Sequence, residues 1–65
     1  MEHKELLEEF KKLNNVKNIK DWCPLVGDEC EQYADTSKPI IKVTLENDSW
    51  LRVYIDKKYK EITWY

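Results

Sequence analysis

Trp50, Arg52 and Tyr54 alternate along the stretch WLRVYI, and Tyr65 stands at the end of the chain. These residue types combine large rigid area with a polar handle, which is the chemistry of interface anchors rather than of bond making. Asp28, Glu29 and Glu31 form a second group, inside DWCPLVGDECEQYAD, where five acids occur without a base. A block of that kind complements a basic patch on a partner and speeds association. The net charge of −2 is ordinary for a small domain and far short of what a duplex DNA mimic would carry.

Catalytic chemistry finds little support. His3 is the only histidine and sits near the start of the chain, so no His-based acid, base or triad is expected. Gly27 is the only glycine, which excludes a glycine-rich phosphate loop. Cys23 and Cys30 lack the second cysteine pair of a zinc site and are spaced wider than a redox motif. They read as two reduced, partly buried thiols. The chain is therefore read as a non-enzyme with no metal and no cofactor.

Sixty-five residues allow one domain with one small core. The opening MEHKELLEEF shows no basic start followed by an apolar run, so no secretory leader is read and a cytoplasmic location is expected. Ten of the eleven basic residues are lysine, while Gly and Ala occur once each. That bias fits AT-rich coding, as in low-GC bacteria, some archaea, and their viruses.

The elements that must position these groups can be read from periodicity. Leu6, Leu7, Phe10 and Leu13 recur at helical spacing and predict a helix over 2–13, with Glu8 placed to pair with Lys12 and Asn14-Asn15 as the stop. Val16, Ile19 and Trp22 continue a helical rhythm that Pro24 ends. Asp28 followed by Glu31 resembles a capping box and opens a short helix through about Asp35. IIKVTL, WLRVYI and EITWY read as three strands of an antiparallel meander. The expected fold is thus α+β, a helix on a three-stranded sheet in two layers, in the order α-β-β-β with short helical turns between.

Parity then assigns faces, because a slip of one residue flips every side chain. A three-residue loop at Asn47–Ser49 sets Leu45 against Leu51, Val43 against Val53 and Ile41 against Ile55. An even second loop sets Val53 against Ile62 and Leu51 against Trp64. One face collects these apolar residues as the core side, to be covered by the helix. The other collects Lys42, Thr44, Trp50, Arg52, Tyr54, Glu61, Thr63 and Tyr65, unless residues 16–37 pack over it.

Residues 52–64, RVYIDKKYKEITW, resemble the second hairpin of WW domains over a fifth of the chain. No tryptophan precedes Trp64 at the family's spacing and no proline follows, so no family is assigned.

The sequence thus favours a protein-binding domain, a small intracellular inhibitor or regulator of phage or mobile-element type acting on a larger host protein. Its expected binding residues are Trp50, Arg52, Tyr54, Tyr65, Lys42, Asp28, Glu29 and Glu31. The alternative is a nucleic-acid-binding sheet, with aromatics stacking bases and Lys42, Arg52, Lys57, Lys58 and Lys60 meeting phosphates. A sequence pI of 5.3 weighs against it. Pairing of two copies through KEITWY as a free sheet edge is compatible with either.

Overall fold

The computed structural model describes residues 1–15 and 18–65. Helix α1, His3–Asn14, is followed by strand β1, Ile19–Pro24, a 3-10 helix, Glu29–Gln32, and strands β2, Ile41–Leu45, β3, Trp50–Ile55, and β4, Ile62–Trp64. The strands form one antiparallel sheet in the order β1-β2-β3-β4. The expected α+β class holds, with four strands in place of three.

α1 starts where the Glu2 amide donates to the Glu5 carboxylate and ends at Asn15, whose φ of 52° closes the last turn through a bond to the Lys11 carbonyl. Leu6, Leu7 and Phe10 are buried against Ile41, Val43, Val53 and Ile55. Leu13 is not part of that contact; it is 61% exposed, so the apolar stripe ends at Phe10. The surface ion pairs run from Glu8 to Lys11 and from Glu9 to Lys12, one position closer than the expected Glu8–Lys12 pair.

β1 is the missed strand. Ile19 and Trp22 do share a face, but through a β-bulge rather than a helix. Ile19 lies opposite Leu45 and Trp22 opposite Val43, with the register shifted between Ile19 and Asp21. The extra residue turns a two-residue repeat into a spacing of three and so mimics helical rhythm. Pro24 is tolerated because it ends an edge strand. Val16, the third member of the expected rhythm, lies outside the described residues.

Both hairpins keep the expected parity and slip by two residues. Ile41 faces Val53, and Val43 faces Leu51. The first loop has the expected length but sits one position earlier: the Leu45 amide donates to the Ser49 carbonyl, and Asp48 takes the left-handed φ of 69°. In the second hairpin Val53 faces Trp64 and Ile55 faces Ile62. Its turn is organised by Asp56, whose carboxylate accepts from the Lys58 and Tyr59 amides, and by Lys60 at φ 58°. A slip of two preserves faces, so the division of the sheet survives. Phe10 meets the Trp64 ring edge-on at 5.5 Å on the core side.

Residues 25–40 form a strap across the opposite face. Cys30, Ala34 and Ile40 bury Tyr54 there, with Leu25 packed alongside. The expected helix through Asp35 is reduced to the single 3-10 turn. Beyond it the backbone is drawn to the end of β3, where the Asp35 amide donates to the Ile55 carbonyl and the Lys57 amide to the Tyr33 carbonyl. The strap adds a partial third layer to the expected two.

Candidate partner-binding face

The strap covers only the Ile55 half of the second face. At the other end β3 presents Trp50 and Arg52, β2 presents Lys42 and Thr44, and Tyr65 follows β4. Arg52 and Tyr65 exchange both backbone hydrogen bonds, at 2.8 and 3.1 Å, which sets their side chains beside each other. The Arg52 guanidinium carbon lies 4.5 Å from the Trp50 ring centre and 4.6 Å from that of Tyr65. Contacts of this kind draw on the negative face of the ring. Lys42 Nζ approaches the same indole at 5.0 Å. Tyr65 also meets Tyr54 edge-on at 6.2 Å.

The strap neutralises Arg52. Arg52 Nε donates to Asp28 Oδ2 at 2.6 Å, and Nη2 lies 3.1 Å from Glu29 Oε1. Asp28 is also the N-cap of the 3-10 helix, accepting from the Cys30 amide. Burial pushes the Asp28 carboxyl upward, but hydrogen bonds from the Cys30 amide, Arg52 and the Cys30 thiol outweigh it and hold the group below the ordinary carboxylate value. Arg52 is raised in turn, first by its bond to Asp28. Cys30 is buried, and that burial, reinforced by the Asp28 carboxylate, pushes its thiol up to about 12. Cys23 is exposed, and the two cysteines are not bonded to each other.

Of the eight binding residues read from the sequence, the fold gathers Trp50, Arg52, Tyr65, Lys42, Asp28 and Glu29. Trp50 and Tyr65 remain 39% and 43% exposed. Tyr54 is 4% exposed and serves the second core cluster instead. Glu31 turns away, its carboxylate accepting from the Gly27 amide at 2.6 Å. Strand β1 adds Cys23 opposite Lys42 and Asp21 opposite Thr44 on this face, residues hidden from the sequence reading because the strand itself was hidden. Their two-residue spacing was the available signal.

The basic residues of the nucleic-acid alternative are divided. Lys42 and Arg52 flank Trp50, whereas Lys57, Lys58 and Lys60 occupy the turn beyond the opposite end of β3. There Lys60 pairs with Asp35 at 3.1 Å. An open groove of about 470 Å³ between Met1, His3, Leu25, Val26 and Lys38 shares only Glu31 with the expected binding residues.

No protein-family model matches this chain, and no curated protein and no solved structure matches it. What the fold defines is a small α+β domain with an open four-stranded antiparallel sheet. Among the described residues no helix is long and apolar enough to cross a membrane.

Proposed function

We propose that this domain binds a larger protein through the uncovered end of its second sheet face, as a small intracellular inhibitor or regulator. The observation that carries the reading is the state of Trp50 and Tyr65. Both rings stay exposed while gripping a guanidinium whose charge is already matched by Asp28 and Glu29. Such a surface is rigid before contact, so little ordering entropy is spent on association. Lys42 has no carboxylate of the described residues within ion-pair distance, leaving a cation beside the indole for an acidic group of the partner. The lysine-rich composition fits a phage or mobile-element source and a host protein as target.

The pairing of Arg52 supports a protein partner over a nucleic acid, because the cation nearest the aromatic surface is already satisfied. The test is capture by the tagged domain from a nuclease-treated lysate of a low-GC bacterium, with Trp50→Ala in parallel. One protein held by the wild type and lost from an equally folded Trp50→Ala supports the reading. Equal retention by both removes Trp50 from the site. Capture that disappears with nuclease moves the assignment to nucleic acid.

A further inference from the structure

The two edges of the sheet are not alike. The edge strand β1 is blunted along its outer side. It carries a bulge between Ile19 and Asp21, the outer amide of Trp22 is taken by Asp21 Oδ1 at 2.8 Å, and Pro24 has no amide to offer. Lys20 and Asp21 add charge. Bulges, prolines and charges are the usual means by which an edge is kept from pairing.

β4 has none of these, and only its three-residue length limits pairing. Its residues are Ile62, Thr63 and Trp64, with no charge, proline or bulge. The Asp56–Glu61 and Arg52–Tyr65 bonds fix the alternation of the ladder, so the backbone groups of Glu61, Thr63 and Tyr65 face β3. Those of Ile62 and Trp64 face outward, and Trp64 stays 36% exposed there.

We infer that β4 is a self-pairing edge, through which two copies of this chain join antiparallel about a two-fold axis at Thr63. Hydrogen-bonding parity limits the register to those that pair Ile62 and Trp64, and the one centred on Thr63 uses both residues of each copy. Ile62 of one copy lies opposite Trp64 of the second copy, each exchanging amide and carbonyl with the other, and Thr63 lies opposite its own counterpart. The aromatic–β-branched pairs fall on the core side and the Thr–Thr pair on the other, both favourable cross-strand combinations. Glu61 then faces Tyr65, so no like charges are opposed. The neighbouring register, centred on Ile62, would require pairing at Lys60, whose φ of 58° takes it out of the strand. Small domains commonly gain stability by such association. This inference concerns the sheet edge and stands apart from the binding face proposed above.

The test is sedimentation equilibrium of the wild type, Thr63→Lys and Thr63→Glu from low micromolar to millimolar concentration, with circular dichroism checking each fold. The expected result is a wild-type mass rising from monomer to dimer, each variant remaining monomeric, and their equimolar mixture recovering the dimer. A wild type that stays monomeric throughout overturns the inference, as does a dimer indifferent to both substitutions. If either variant does not fold, wild-type amide exchange decides. Protection of Ile62 and Trp64 that grows with concentration supports the edge, and unchanged protection overturns it.

Discussion

Arg52 and Asp28 stand twenty-four positions apart in the chain and meet with Nε and Oδ2 at 2.6 Å. That contact ties the strap to the sheet, matches the charge of the guanidinium held by Trp50 and Tyr65, and leaves Asp28 free to cap the 3-10 helix with the same oxygen.

The tie separates charge from cap. Asp28→Ala loses both and is expected to lower unfolding stability by about 1–2 kcal/mol, in the range of a lost helix cap. Asp28→Asn retains a good capping side chain and is expected to lose less. Urea denaturation of the two variants ranks them, and equal losses would assign the whole effect to the ion pair.

Acid should loosen the strap at a defined point. The Asp28 carboxyl lies below its ordinary 3.8, and Asp35 is lowered to about 2 by bonds from Ser37 and Lys60. A depressed carboxyl contributes stability above its unfolded value and loses it as pH falls through the folded value. Stability is therefore expected to be level from neutrality to about pH 5 and to fall below that, most steeply under pH 4. Thermal melts across this range check it, and Asp35→Asn should flatten the lowest part of the curve.

The two thiols should react at very different rates. Cys23 is exposed at the edge strand, whereas Cys30 is buried, hydrogen-bonded to Asp28 and raised to about 12. A disulfide-exchange reagent at mildly alkaline pH is expected to modify Cys23 quickly and Cys30 only as the domain opens. Two fast thiols would mean that the strap does not hold over Cys30.

The apolar stripe of α1 ends abruptly. Phe10 is fully buried, and Phe10→Ala is expected to cost about 3–5 kcal/mol, enough to unfold a domain this small. Leu13→Ala removes an exposed side chain and should stay within about 0.5 kcal/mol. Denaturant midpoints of the pair test where the helix leaves the sheet.

The aromatic surface separates in the same manner. Tyr54→Ala empties a site beneath the strap and is expected to destabilise by about 3 kcal/mol or more, comparable with other buried aromatics. Trp50→Ala should leave a folded domain. Matched melting curves for the two variants would show that the strap does not cover Tyr54.

What the sequence determined by itself was local or periodic. Leu6, Leu7 and Phe10 predicted the face of α1, Asn15 its end, and strict alternation in IKVTL and WLRVYI the two sides of the sheet. These survive a register slip of two, since side-chain direction repeats every second residue. The tertiary structure decided what depends on neighbours distant in the chain. A bulge gave Ile19 and Trp22 a helix-like spacing, so β1 became visible only beside β2. Tyr54 and Trp50 share one face and one strand, yet the strap buries the first and leaves the second open. No pattern within WLRVYI separates them, because burial is set by where residues 25–40 cross the sheet, and that crossing is held by the Asp28–Arg52 and Asp35–Lys60 pairs and the backbone bonds to Ile55 and Lys57.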